Sequence, residues 1–259
     1  MSYHVEMFSE DMGAPLKLNF KSGPLHLFTL SSEYAKPMQD GIFIVSAKQD
    51  LVAAFVCDGM GGHAGAEVAI VEIFNAIKET FNDKTPHLPL RELMLSAIEL
   101  ADQKVKALKI GAGSTVVAFG LDQNVLRLYH AGDSIGRVIG ARGKVYYSTI
   151  EHSPIGHAIE SGVLSKKQAL NRIDENVVSN GLGFDSLSIE VGLGLSPSVG
   201  DLVLLSSDNL PKNFTEEEII QMASSSEFEK RAETIIQNLS SKKDYRSDDT
   251  SFVLFKYSN

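Results

Sequence analysis

Leu51-Val52-Ala53-Ala54-Phe55-Val56-Cys57 is an apolar run that ends on Asp58-Gly59-Met60-Gly61-Gly62-His63-Ala64-Gly65. Such a run, closed by a glycine-rich turn, reads as a strand buried on both faces. Beyond the turn Ala66, Ile70, Ile73, Phe74, Ile77 and Phe81 recur at helical spacing and predict an amphipathic helix over residues ~65–81. Strand, glycine turn and helix also describe a dinucleotide or anion-binding turn, and Gly59-x-Gly61-x-x-Ala64 mimics that fingerprint. The match is weak. No regular strand–helix–strand unit follows, and Glu79, the acid about 20 residues on, lies inside the helix.

Upstream, residues 25–31 and 41–47 read as short strands, and the first ~20 residues as an irregular arm or weak edge strands. Downstream, Leu93, Ala97, Leu100, Lys104 and Leu108 mark a second helix entered past Pro86 and Pro89. The period then changes to two. Residues 114–119 and 125–131 are predicted strands, and 137–139 with 145–147 a hairpin turning through 140–143. Residues ~148–185, with a short helix over 165–171, are either a flap over a site or an ordinary surface excursion. Strands resume at 186–192 and 201–206, and Pro211 closes the next turn. Thr215-Glu216-Glu217-Glu218 reads as a capping box for a short helix, before a longer one over ~225–239 and a closing strand at 251–257. Antiparallel sheets with helices outside, an α+β fold, explain this order better than a doubly wound parallel sheet.

Lys plus Arg number 24 and Asp plus Glu 33, a formal charge of −9, and Lys166-Lys167 and Lys242-Lys243 are isolated pairs. Nucleic acid is therefore not an expected partner. No signal segment or bilayer-length apolar stretch is visible, so a membrane partner is not expected and cytoplasmic residence is. The lone Cys57 reads as a buried hydrophobe rather than a nucleophile.

The acids carry the chemistry. Asp58, Asp133 and Asp208 stand where apolar strands end, and Asp40 and Asp248 flank other strands. Converging carboxylates repel one another unless cations compensate, and oxygen donors suit Mg2+ or Mn2+, which activate water against phosphate esters. Strand-end aspartates are also common turn and capping residues, and spacing alone does not bring them together. Without a side chain, Gly59 lets its carbonyl approach a metal. His63 is a proton donor or a helix-start histidine.

Met38-Gln39-Asp40-Gly41, Asp58-Gly59-Met60-Gly61-Gly62-His63, Gly113-Ser114-Thr115, Ala131-Gly132-Asp133-Ser134, Thr149-Ile150-Glu151-His152-Ser153, Ser207-Asp208-Asn209-Leu210 and Asp248-Asp249-Thr250-Ser251 follow one another in order. In that order the chain resembles the metal-dependent protein serine/threonine phosphatases of the PP2C (PPM) family, especially the compact bacterial members, over roughly residues 25–257. The resemblance implies a single domain over 1–259 with two antiparallel sheets between pairs of helices, an αββα sandwich. It implies that Asp58 bridges two metals, that Gly59 contributes its carbonyl, and that Asp208 and Asp248 hold the other side. Asp40 would act through bound water, and Asp133 with Asp208 would form a third position. The reaction implied is attack of metal-activated water on phosphoserine or phosphothreonine with Mn2+ or Mg2+, on a phosphoprotein made by an opposing kinase, by a chain expected to be a monomer. The chain departs from the family pattern at several positions. Ala35 stands where the family has a phosphate-contacting arginine, leaving Lys36 as the substitute phosphate contact. Ile135 replaces another arginine, Asn209 a glycine, Asp249 an asparagine and Glu151 an aspartate. These departures leave two further readings open: an inactive regulatory or binding protein, and a small-molecule phosphomonoesterase.

Overall fold

The computed structural model describes residues 3–32, 37–47, 51–60, 63–82, 88–164, 177–224, 227–242 and 248–258, without the side chains of residues 63 and 64. Strands β1 (Tyr3–Phe8), β2 (Leu16–Phe20), β3 (Gly23–Leu30), β4 (Asp40–Ala47) and β5 (Leu51–Met60) precede helices α1 (His63–Thr80) and α2 (Leu90–Ala107). Strands β6 (Gly113–Ser114), β7 (Val116–Asp122), β8 (Val125–Ala131), β9 (Ile135–Ile139) and β10 (Val145–Ser148) come next, then α3 (Pro154–Glu160), β11 (Glu190–Val191) and β12 (Leu202–Ser206). Helices α4 (Asn209–Asn213), α5 (Glu216–Ser224) and α6 (Phe228–Ser241) lead into β13 (Thr250–Lys256). One sheet runs β1-β4-β5-β7-β8-β11, with β6 on β5, and the other β10-β9-β12-β13-β3-β2. Neighbouring strands pair antiparallel throughout the described residues.

Alternation along the strands builds the layers, because successive side chains point to opposite faces. On β5, Leu51, Ala53, Phe55 and Cys57 pack with Ile70, Ile73 and Ile77 of α1 and Leu93, Ala97 and Ile98 of α2. Val52, Ala54 and Val56 face the opposite way, onto Leu27, Val203, Leu205 and Val253 of the second sheet. The far face of that sheet, with Leu204, Phe252 and Leu254, packs on Ile219, Phe228, Ala232 and Ile235 of α5 and α6. The result is helices, sheet, sheet, helices, and a strand as apolar as residues 51–57 is what burial on both faces requires.

Of the two readings of the first ~20 residues, irregular arm or weak edge strands, the second is observed: β1 closes one sheet and β2 the other. The capping box forms as read, with Glu218 Oε2 accepting from Thr215 N at 2.8 Å and Thr215 Oγ1 from Glu218 N at 3.3 Å. The strand predicted over 186–192 is cut to Glu190–Val191, paired with Tyr129 and His130; Ser188 is instead held by the Asn180 side chain. Pro211 lies inside α4 rather than in an open turn. A further helix, α3, starts on a Ser-Pro signal, Ser153 Oγ accepting from Gly156 N with Pro154 in the first turn. The helix expected over 165–171 lies outside the described residues.

Candidate metal centre

The same two-residue period aims the acids. Residues 52, 54 and 56 fill the space between the sheets, and Asp58 is the next residue on that face of β5. Ile44 and Ile42 lead likewise to Asp40, whose register partner on β5 is Asp58. From the second sheet Phe255 and Val253 lead through Ser251 to Asp249. Gly132-Asp133-Ser134 connects β8 of one sheet to β9 of the other, and Asp208 follows β12, whose last residue pairs with Ile135 and Phe252. At this end the filling between the sheets changes from apolar to acidic. Cys57 has the other parity and faces the helices, its thiol pushed well up by burial and then by Asp40 and Asp58.

Side-chain hydrogen bonds fasten these segments to one another. Thr115 Oγ1 accepts from Asp58 N at 3.1 Å and lies 2.6 Å from Ser134 Oγ, joining the strand of Asp58 to the link that carries Asp133. Ser114 Oγ donates to the Asp58 carbonyl at 3.0 Å. Gly59 packs so closely that a Cβ there would meet Gln39 O at 2.7 Å and Ala66 O at 2.8 Å. Gly132 has φ +120°, and a Cβ on it would lie 2.6 Å from Thr115 Cβ. Gly132→Ala is therefore expected to cost about 2–4 kcal/mol, read by urea unfolding, because backbone strain and overlap add.

Burial sets the electrostatics. Asp40 and Asp133 are 1% and 6% exposed. Both oxygens of Asp40, and Oδ1 of Asp133 and of Asp208, are buried without a hydrogen-bond partner. Burial, then Asp249, pushes the Asp40 carboxyl well above the usual carboxylate range; Ser207 and Ser251 act against this without completing a hydrogen bond to it. Asp58 is raised by burial and then by Asp208, Asp40, Asp133 and Asp248. Asp133 is pushed up to about 7 by burial, Asp208 and Glu151, with Lys212 opposing. Asp208 is raised by burial against the pull of Lys212. Lys212 Nζ lies 2.5 Å from Asp208 Oδ2 and 3.4 Å from Asp248 Oδ2. Unpaired, buried, mutually repelling carboxylate oxygens are the donor set that hard divalent cations satisfy, so these residues fit the metal ions the sequence implies.

A second cluster, His130, His152 and Glu190, brings one ligand atom from each residue within 4.8 Å of the others, a distance that no trio of aspartates reaches among the described residues. Its hydrogen bonds assign it another role. His130 Nε2–H donates to Ile150 O at 2.7 Å. His152 Nδ1 accepts from Asn180 Nδ2 at 2.7 Å and Gly132 N at 3.2 Å, which leaves its proton on Nε2, facing Glu190 Oε2 at 3.5 Å. Burial pushes His130 down to about 4 and lowers His152, so both are neutral at pH 7. With both Nε2 atoms protonated and the rings stacked 4.4 Å apart, the cluster is a structural tie. It holds both ends of the expected flap region against the site, since His152 N also donates to Gly132 O and Ser179 N to His152 O.

No family model matches the chain. It is 26% identical over 195 residues to serine/threonine phosphatase stp of Listeria innocua, covering 71% of this chain and 76% of that protein. It is 29% identical over 181 residues to protein phosphatase PhpP of Streptococcus pneumoniae, covering 66% and 72%. The fold matches the Mycobacterium tuberculosis serine/threonine phosphatase PstP, TM-score 0.75 at 21% identity over 91% of this chain and 98% of that one. It also matches Staphylococcus aureus Stp1, TM-score 0.75 at 20% identity over 96% and 100%. The chain is a homologue of the PP2C-type (PPM) phosphatases.

The departures from the PP2C pattern now have places. Ile135 is fully buried with Leu204, Leu210 and Phe252 on the helix side of its sheet, and Arg137 lies with its Nε 3.5 Å from Glu216. Asn209 takes a helical conformation at the start of α4 instead of the positive φ a glycine suggests. Its Nδ2 donates to Asp248 O at 3.0 Å and Thr250 Oγ1 at 2.6 Å, so it ties the Asp208 segment to the Asp248 segment. Asp249 accepts from Ser32 N at 2.7 Å and Gln39 N at 2.5 Å, drawing together the two sides of the segment that includes Ala35 and Lys36. Ala35, Lys36, Gly61, Gly62 and the His63 side chain lie outside what the structure describes. Asp248, with its side chain 51% exposed, is the most open of the five acids at the rim. Sequence reading missed Lys212, Asn209 as a tie, Asp249 as a clamp and the His130–His152 pair; only Lys212, one helical turn after Asp208, carried a signal that spacing offers.

Proposed function

We propose that this protein hydrolyses phosphoserine and phosphothreonine monoesters in phosphoproteins, by direct attack of water at a metal centre formed by Asp40, Asp58, Gly59, Asp133, Asp208 and Asp248. The observation that carries this reading is the set of buried carboxylate oxygens without partners at the acidic end of the inter-sheet layer, on a chain homologous to PP2C-type phosphatases. One solved structure of PstP holds two manganese ions, and Mn2+ or Mg2+ is the cofactor proposed here, as two central ions and a third at Asp133. Bound there, such ions lower the pKa of water and offset the charge of the phosphoryl group.

The residues supply the rest. Asp58, raised by burial and then by four other carboxylates, would hold ions on both its sides; Asp208 and Asp248 would close the second side, and Asp40 would act through bound water. Thr115 and Ser114 hold the Asp58 backbone, which keeps the donors preorganised. No covalent nucleophile is called for, since Cys57 faces the helices with its thiol held protonated. Lys36 is the phosphate contact proposed in place of the arginine. One domain accounts for the described residues, of which 148–164 and 177–185 border the site as parts of the flap, and the protein works as a cytoplasmic monomer opposing a serine/threonine kinase.

The inactive-regulator reading loses one of its motives, because Ile135 faces the helical layer and not the carboxylates. Phosphate release from phosphoserine and phosphothreonine peptides, with Mn2+ and with EDTA, tests the proposal against small phosphomonoesters. Mn2+-dependent release from the peptides, faster than from the small esters, is expected. Release from small esters alone would replace the substrate assignment, and release from neither would remove the enzymatic reading.

A further inference from the structure

Lys212 is not accounted for by the metal-holding role of its neighbours. It sits one turn after Asp208, its backbone N–H donating to Asp208 O at 3.0 Å, so the helix itself delivers its side chain to the aspartates. Its ammonium touches Oδ2 of Asp208 at 2.5 Å and of Asp248 at 3.4 Å, and its side chain is 18% exposed. It thus occupies, with a point charge on a flexible stem, a position from which it shields the two acids proposed to close one side of the metal centre. A divalent ion on those oxygens would meet a like charge at contact distance in a shielded site, where such repulsion is weakly screened.

We propose that Lys212 is a built-in counter-ion, which divalent ions must displace from Asp208 and Asp248 in order to bind, so that this lysine sets the metal concentration at which the site becomes active. The inference rests on the metal-centre reading above. In the metal-free chain the ammonium balances part of the carboxylate charge; on metal binding it swings outward, which its unbranched stem permits.

The test is calorimetric titration of the full chain with Mn2+ alone, comparing the unaltered protein, Lys212→Met, Lys212→Gln and Asp208→Asn. Lys212→Met and Lys212→Gln are expected to bind Mn2+ roughly tenfold or more tightly, the low end for removing one close charge pair. Their metal-free thermal midpoints are expected to fall, and a lysine that only packed would give the second change without the first. Equal or weaker Mn2+ affinity in the variant that stays folded overturns the counter-ion role while leaving the metal centre standing, provided the unaltered chain binds Mn2+ and Asp208→Asn does not. Absence of Mn2+ binding in all four chains overturns both.

Discussion

Asp58→Asn is expected to reduce metal-dependent phosphate release roughly a thousandfold or more, and at the same time to raise the thermal midpoint of the metal-free protein. The two effects have one cause. Asp58 stands in the field of Asp208, Asp40, Asp133 and Asp248, and both burial and that field disfavour its charge. Asparagine keeps the shape, removes the repulsion and removes the donor that the ions need. Relief of about 1–3 kcal/mol corresponds to several degrees for a chain of this size. Turnover on a phosphopeptide and scanning calorimetry in EDTA check the pair; a variant that loses turnover and also melts lower would mean that Asp58 is a structural residue instead.

Reversal of the pH dependence of stability by metal is the second large effect expected. Asp133, pushed up to about 7, keeps in the native metal-free chain a proton that an unfolded aspartate releases near 4. The stabilisation this gives is complete below about pH 4 and is lost as pH rises through about 7, on the order of 3–4 kcal/mol from this group alone. Asp40, Asp58 and Asp208 are shifted in the same direction. His130 opposes them: held down to about 4, it refuses a proton that the unfolded chain takes up near 6.5, so its contribution rises with pH between those values. His152 and His26, lowered by burial, act as His130 does, but the raised carboxylates Asp40, Asp58, Asp133, Asp208 and Asp249 outnumber these histidines, and the metal-free protein is expected to lose stability between about pH 5 and pH 7. Saturating Mn2+ holds the carboxylates ionised and competes with protons, so the slope changes sign. Urea unfolding at both pH values, with and without Mn2+, checks this; a metal-free protein that gains stability over the range would contradict it.

Much of the architecture was legible because alternation and helical spacing record burial directly. Residues 51–57 were apolar at every position since α1 and α2 cover one face and the second sheet the other. What escaped was set by single hydrogen bonds and not by patterns. The strand expected over 186–192 had strand-like composition, yet Asn180 captures Ser188. At the site, the parity that carries Val56 into Asp58 was present in the sequence, but the joining of Asp58, Asp133 and Asp208 at one end depends on how two sheets stack. Composition carries no trace of that stacking, and the ordered motifs supplied it only through resemblance. Asn209 shows the limit of reading by substitution: it stands in place of a glycine, yet the residue is helical and acts through its amide.

The central claim is that divalent ions bind where the apolar filling between the sheets turns acidic. Anomalous difference density at the manganese edge, from crystals soaked in Mn2+, locates such ions directly. Two peaks flanking Asp58, one reaching Asp208 and Asp248, are predicted, and both should vanish in Asp58→Asn. Density at His130, His152 and Glu190 with none among the aspartates would contradict the account.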